Sequence, residues 1–417
     1  MASFSFGAGN AAKLLRIPLY AAGRLATLII PRSADEWVFG CGAGIGDGAL
    51  ALWNEAAARH PSVWLVGSER EERDAAALGI RTLRKHSVQG FWRTARARVA
   101  VVTHGFGDVN RYAIAGTFTV QLWHGIPLKR IGLDSPETVQ LPPTLRRLPV
   151  AGALRALLRL LYRRTTRQID LIPAASHVVR ARLESAFSLP DARVPVTGEP
   201  RVDVLSAGDA ATRRRAAREA IAAVVGELGD QRLVLYAPTW RDGAVDPAVP
   251  DAAQWARITA TLEARDAVLL VRSHPLGMGS YTPPTDRVRM LGSDLVADVT
   301  PLLPGMDMLI TDYSSLAFDA ALVPLPEVFF APDLDEYVAR RGMYGTYAEV
   351  AGPDWARDWD GVVAQADAVL GEGAVRAARL ARARELSTAV HAYSDGRSAA
   401  RVHREILERT GGTRKEA

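Results

Sequence analysis

The sequence predicts an α/β protein made of two doubly wound domains, and three observations carry that prediction. Short apolar runs alternate with longer amphipathic stretches along most of the chain. Such runs read as strands buried on both faces, and the alternation as parallel sheets with helical crossovers. A glycine–proline junction, Gly198-Glu199-Pro200-Arg201, divides the alternation near its middle. The 417 residues, 48% hydrophobic and 23% charged, suffice for two cores of ordinary size.

In the first half, residues 37–41 form a strand that runs into GCGAGIGDG at 40–48. No glycine triplet there has the G-x-G-x-x-G spacing of a dinucleotide site, so the loop reads as a close turn into a helix over 49–59. A strand follows at 63–66 and a helix at 69–77. Strands at 98–103 and 117–123 end in His104-Gly105 and His124-Gly125. Segments 170–176 and 194–197, with a helix between them to Phe187, complete this half. After the junction come a helix at 213–228 and strands at 233–237, 267–271, 288–291, 308–310 and 327–330. Helices near 251–264, 314–322 and 333–340 alternate with them. Beyond Pro353 the chain reads as helix, broken at Ser394-Asp395-Gly396. The expected domains are 1–198 and 199–390, followed by a final helical segment, 391–417.

Composition narrows the function. A net charge of +5 with 51 lysines and arginines hints at anionic partners, while the excess of arginine over lysine fits a GC-rich genome as well as phosphate binding. The single Cys41 excludes an intrachain disulfide framework and any multi-cysteine metal site, and fits a reducing, cytoplasmic location. Residues 11–32 are apolar but interrupted by Lys13, Arg16, Pro18 and Arg24. They fall short of a span or signal peptide and read as an amphipathic surface helix. Segment 138–169 holds seven arginines and no acid. On a helix, Leu154, Leu157, Leu158 and Leu161 share one face, opposite Arg155, Arg159, Arg163, Arg164 and Arg167. The basic amphipathic stretch 144–168 therefore suits an anionic membrane surface, or else packs its leucines inward and solvates its arginines.

Polar clusters fall at the ends of expected strands, the edge where open α/β sheets bind ligands. They are QLWHGIPLK (121–129), YAPTWRD (236–242), RSHP (272–275) and TDYSS (311–315). His124, at a strand end, can take a proton from a hydroxyl near neutral pH. Arg241 and Arg272 offer forked donors for phosphate oxygens. Ser314 and Ser315 cap a helix, whose N-terminus also attracts phosphate. Each residue has a plainer reading as well: a packed histidine, a surface arginine, a simple cap.

Taken together the clusters resemble the CDP-glycerol glycerophosphotransferase family of teichoic acid primases and polymerases. The pieces that match are WHGIPLK with IGLD (123–134), TGEPRVD (197–203), LYAPTWRD (235–242), HP (274–275), DVTPLLPGMDMLITDYSSLAFD (298–319), PEVFFAPDLDEY (326–337) and YSDGRSAARV (393–402). FGCGAGIGD matches more loosely. Ile126 stands where family members often carry threonine, and Ser398 where alanine is common. The resemblance implies a GT-B-like plan: two Rossmann-like domains facing a central cleft, acceptor in the first and donor in the second, with the last helix crossing back to the first domain. It implies transfer of glycerol phosphate or another polyol phosphate from CDP-glycerol or CDP-ribitol to a lipid-linked saccharide or polyol-phosphate acceptor. The enzyme would work peripherally on the inner face of the cell membrane, with no nucleic acid among its partners.

By the same resemblance His124 and His274 are the catalytic pair, His124 as the base on the acceptor hydroxyl and His274 holding the pyrophosphate with Ser314 and Ser315. Thr239, Arg241, Arg272, His274, Asp312, Ser314 and Ser315 hold the donor, and Gly125 and Lys129 lie on the acceptor side. Arg201, Asp203 and Asp395 occupy the remaining motifs. No cofactor and no obligatory metal is expected, because donors from the protein would stabilise the departing CMP. The competing readings are a CMP-sugar glycosyltransferase of the sialyl- or polysialyltransferase kind, and a non-catalytic or epimerase-like GT-B protein.

Overall fold

The computed structural model describes residues 17–239, 241, 247–272, 281, 285–371 and 373–411. These form two compact units. The first contains the described residues through His124, then Arg130–Asp203, then those from Arg397 onward; the second contains Gly125–Lys129 and Val204–Gly396.

The first unit is built on a five-stranded sheet of β1 (Trp37–Phe39), β2 (Ser62–Val66), β3 (Thr82–Arg84), β4 (Val99–Val102) and β5 (Phe118–Gln121), ordered β3-β2-β1-β4-β5. Every pairing is parallel. Side chains alternate between faces along a strand, and here both faces are covered. Trp37, Phe39 and Trp64 pack into one apolar layer; Val38, Val63, Leu65 and Val102 pack into the other. That is why the strands read as unbroken apolar runs. β3 and the helix Val88–Arg96 lie outside the expected elements. β3 has only three residues, all half-buried, too short to show a period. Segments 170–176 and 194–197 contribute isolated bridges, Val120 to Leu171 and Ala174 to Val196, rather than strands. Pro173 and Pro195 deny each segment a continuous ladder.

The second unit repeats the plan with β6 (Arg232–Ala237), β7 (Ala267–Val271), β8 (Val288–Met290), β9 (Met308–Thr311) and β10 (Glu327–Phe329), ordered β10-β9-β6-β7-β8 and again parallel. Read from its own first strand, this is the same winding as in the first unit. In both, the order reverses between the first and fourth strands: β1 and β4 in one, β6 and β9 in the other. The carboxyl ends at such a reversal diverge and open a crevice.

The last helix, Ser398–Thr410, belongs to the first unit, where Val402 and Ile406 join the layer containing Trp37. Its N-terminus is held by a residue distant in sequence. The Asp203 carboxylate accepts from the amides of Ser398 (2.8 Å) and Ala399 (2.7 Å). This satisfies backbone donors that a helix start leaves open, and it links two of the sequence motifs.

Candidate active site

At the β1/β4 reversal of the first unit the chain concentrates polar groups on a tight turn. One carboxylate oxygen of buried Asp108 accepts from the amides of Thr103 (2.9 Å), His104 (2.7 Å) and Gly105 (3.3 Å). The turn therefore presents the His104 ring beside the glycine loop that comes after β1. A Cβ at Gly42 would lie 2.6 Å from Cγ of His104, and one at Gly40 would lie 2.2 Å from the Asp108 carbonyl oxygen. Those glycines make room for the turn; that is their use, in place of a dinucleotide.

From the neighbouring β5, Gln121 donates to the Thr103 carbonyl (2.6 Å), and Trp123 takes a left-handed backbone (φ 61°), a costly conformation for a bulky residue. The Trp123 ring packs edge-on against Phe187, with centroids 5.1 Å apart. His124 is thereby laid flat on His104: ring centroids are 4.4 Å apart and the planes differ by 1°. Thr103 Oγ1 lies 2.8 Å from His104 Nδ1 and 3.2 Å from Cys41 Sγ. A hydroxyl donates one proton. Given to the sulfur, it leaves the oxygen to accept from Nδ1–H, which makes Nε2 the basic nitrogen of His104.

The electrostatics favour neutral imidazoles. Burial, then the proximity of His104, push the His124 pKa well below 6.5, against the opposing pull of the Thr103 carbonyl. Burial also lowers His104, although Asp108 and Asp47 resist. His124 Nδ1 is buried and has no hydrogen-bond partner among the described residues. It is thus an imidazole kept uncharged, with a ring nitrogen that no described residue engages.

Cys41, Asp47 and His104 bring three ligand-type atoms within 4.8 Å of one another. Asp47, however, pairs with Arg201 (3.3 Å) and accepts from the Gly48 amide (2.6 Å), while burial, then Asp47, push the Cys41 thiol up to about 12. The donor set is committed to protein groups and carries a cation of its own.

In the second unit the reversal lies between β6 and β9. Asp312 is buried at the end of β9, where both carboxylate oxygens accept from the Thr239 amide (2.9 and 3.0 Å) and one also lies 2.9 Å from Arg241 Nη1. Arg241 does not extend a free fork. Its Nε and Nη2 hold Asp333 at 2.7 and 3.0 Å, and Nη1 donates to the Thr239 carbonyl at 2.5 Å. Burial opposes its charge, but Asp312 and Asp333 outweigh that and raise its pKa further. Arg272 likewise donates to the Val296 (2.8 Å) and Ala297 (3.0 Å) carbonyls, bracing the chain after β8. Ser314 Oγ accepts from the Leu316 amide (3.2 Å), whereas Ser315 makes no side-chain cap to the short helix Leu316–Leu322. Thr239 Oγ1 is buried without a partner among the described residues.

The structure therefore groups Thr239, Arg241, Asp312, Ser314 and Ser315 at one sheet edge, with Arg272 at the neighbouring end of β7. His274 lies outside the described residues. Gly125 and Lys129, read from sequence with the first half, fall in the second unit, where Lys129 bridges to Met343 and the Leu128 carbonyl accepts from Tyr344 (3.0 Å). Arg201 and Asp203 serve as Asp47's ion-pair partner and the last helix's cap, and Asp395 is exposed at the end of the second unit. Sequence reasoning missed His104 and Asp333. His104 carries a visible signal, an HG pair ending an apolar run like that of His124; Asp333 stands inside the matching piece PEVFFAPDLDEY, but nothing in that piece says that it holds Arg241.

Solved structures with the same architecture include a variant of the wall teichoic acid polymerase TagF, which superposes with a TM-score of 0.76 over 96% of this chain and 95% of that one at 20% identity. A UDP-N-acetylglucosamine 2-epimerase from Listeria monocytogenes, described as putative, gives 0.53 at 13% identity over 91% and 97%. Both likenesses concern the fold. Among sequence relatives, a teichoic acid glycerol-phosphate transferase of Staphylococcus aureus is 28% identical over 64% of this chain and 66% of its own length. A teichoic acid poly(glycerol phosphate) polymerase of Staphylococcus epidermidis is 29% identical over 55% and 31%. The matched stretches thus span about two thirds and one third of those two relatives. With the two wound sheets, the ordered motifs and a family model matching residues 41–408, the chain belongs to the CDP-Glycerol:Poly(glycerophosphate) glycerophosphotransferase family.

Proposed function

We propose that this protein transfers glycerol phosphate, or a related polyol phosphate, from a CDP-alcohol to a hydroxyl of a membrane-linked saccharide or teichoic-acid-like polymer, releasing CMP. The observation that carries the reading is His124: a neutral imidazole whose Nδ1 has no partner among the described residues, fixed at a strand end beside the sheet's reversal. Only a neutral imidazole can accept a proton. The acceptor O–H gives its proton to His124 as its oxygen attacks the phosphorus that bears the alcohol. The bond from that phosphorus to the CMP oxygen breaks, and CMP leaves with the electron pair. Charge builds on phosphate oxygens throughout, and hydrogen-bond donors stabilise it. Thr239, Ser314 and Ser315 supply such donors, with His274 from the HP motif; Arg241 and Asp312 hold them in place. Family membership supports the donor class, as does a TagF variant solved after soaking with CDPG. Protein donors suffice in this reading and no metal is required.

The membrane is reached through surface helices. Among the described residues no helix is long and apolar enough to cross a bilayer. In Ala151–Thr166 only Ala151 and Thr166 are buried, while Leu157, Leu160 and Leu161 are 49%, 61% and 49% exposed. In Ile17–Ile29, Leu28 and Ile29 are 75% and 82% exposed. Exposed leucines beside an arginine face suit an anionic headgroup layer, at about 1 kcal/mol per well-placed basic residue. Changing Arg155, Arg159, Arg163 and Arg164 to glutamine should weaken sedimentation with anionic vesicles at low salt; unchanged sedimentation would refute this surface.

The catalytic reading is tested by incubating the protein with CDP-glycerol, CDP-ribitol and CMP-sugars plus acceptor, then analysing the product linkage. A phosphodiester with released CMP supports it. A glycosidic bond, or no transfer from any CDP-alcohol, overturns it.

A further inference from the structure

We infer that Asp333 is a positioning residue for the donor phosphates, locking the loop after β6 to the turn after β9. The inference rests on the donor site proposed above. Asp333 lies just beyond β10, 92 residues from Arg241 in sequence, yet it grips that arginine through two hydrogen bonds of 2.7 and 3.0 Å. It also accepts from the Tyr313 hydroxyl at 2.9 Å. One carboxylate thus holds a residue from each side of the β6/β9 reversal. The guanidinium sits 4.9 Å from the Tyr313 ring and 5.2 Å from that of Tyr337, and the two rings stack at 3.9 Å. From beneath, Asp312 takes the Thr239 amide and Arg241 Nη1.

Arg241 is 7% exposed and all three of its nitrogens face protein oxygens, so its part is structural. The phosphate contacts fall instead to groups the lock immobilises. Thr239 Oγ1, buried and without a partner among the described residues, is one of them; the Ser314–Ser315 turn adjoins Tyr313. Groups that hold a donor's phosphates bind it well only when their positions are fixed beforehand, because ordering them on binding costs affinity. A guanidinium clamped by two carboxylates and two rings supplies that rigidity.

Asp333→Asn keeps the shape but loses the charge, and Asp333→Glu keeps the charge. With CDP-glycerol and a soluble acceptor, Asp333→Asn should raise the donor KM roughly 10- to 100-fold with kcat within a few-fold, the scale of one lost charge-assisted hydrogen bond. Asp333→Glu should recover most of the affinity. Asp354→Asn breaks a different ion pair of the same unit, to Arg379 at 2.6 Å, and should lower Tm without moving KM. An unchanged KM in Asp333→Asn, or the same KM rise in Asp354→Asn, overturns the assignment. Tryptic cleavage after Arg241, with the fragments identified by mass spectrometry, reads the lock without any donor. It should be slow in the wild type and faster in Asp333→Asn; equal rates overturn the lock. Wild-type protein that does not turn over CDP-glycerol, but still shows the cleavage difference, would refute the proposed donor and leave the lock standing.

Discussion

The two sheet reversals share a winding and differ in chemistry. In the first unit the β1/β4 edge carries two stacked imidazoles, both kept neutral by burial, one with a ring nitrogen that no described residue engages. In the second, the β6/β9 edge carries charges closed upon one another, Arg241 between Asp312 and Asp333. In the proposed function the first edge supplies a proton acceptor, which must be uncharged and available, and the second a phosphate cradle, which must be stiff. The same backbone plan meets both demands because the loops at the carboxyl ends of the strands are free to vary.

The comparison is tested most severely by a pair of variants. His124→Ala should slow transfer about 10²- to 10⁴-fold, the usual scale for a lost general base, and leave the thermal midpoint near wild type. Asp312→Ala strips buried Arg241 of one partner and should cost stability, by about 3–5 kcal/mol, along with donor affinity. Turnover and melting curves on both proteins decide the matter. If His124→Ala melts early while Asp312→Ala is merely slow, the two edges have been assigned the wrong way round.

A second test uses pH. His124 titrates below the ordinary histidine value of 6.5, so its basic form persists as pH falls through that value. The acid limb of kcat/KM should accordingly lie below pH 6.5, with little loss between pH 7.5 and 6.5. A limb centred above 7 would assign the proton transfer to another group.

Much of the fold is legible in the sequence, for physical reasons. Strands buried on both faces show as apolar runs, and among the described residues nine of the ten strands fall on or within a residue or two of such runs. β3, three half-buried residues, does not. Strand order is a tertiary property, and this hides the His104–His124 stack: both histidines end apolar runs, yet nothing local says that β4 and β5 are neighbours. Arginine's role is hidden in the same way. Arg241 looks like a phosphate ligand until Asp333, 92 residues away, is seen to hold it. Residue type is written locally, whereas the engagement of a donor depends on which groups folding brings near.

Neutral histidine recurs in the first unit away from the site, which offers a third, smaller test. His403 on the last helix lies 2.9 Å from His60, Nε2 to Nε2, and His60 Nδ1 lies 2.5 Å from Asp35. Glu55 lies 3.9 Å from His403 Nδ1, paired in turn with Arg59, and the Trp37 ring covers both imidazoles. Burial, then His60 and Arg59, lower the His403 pKa from 6.5 to about 4. The unfolded chain therefore binds a proton between those values that the folded chain refuses. This contribution to stability is accordingly complete above pH 6.5 and is lost as pH falls toward 4, at most about 3 kcal/mol. Hydrogen exchange should show the amides of Ser398–Thr410 losing protection over that range, with those of β6 and β9 as control. His403→Gln should flatten the dependence, and equal losses in both units would erase the contrast.

The smallest expected effect is the absence of one. Treatment with EDTA should leave turnover within about twofold of the untreated enzyme. Cys41, Asp47 and His104 are near enough to suggest a metal, with ligand atoms within 4.8 Å. A cation there would have to displace Arg201 from Asp47, remove a proton from a thiol that burial has pushed up to about 12, and break the Thr103 hydroxyl away from sulfur and imidazole. Zinc-type ligands must be deprotonated and free to converge, and each of these three is already engaged. At the other edge the carboxylates that could hold magnesium, Asp312 and Asp333, are both bound to Arg241. Loss of turnover on chelation, recovered with magnesium, would place the decisive charge of the second unit on an ion rather than on hydrogen-bond donors. Loss recovered with zinc would do the same for the first.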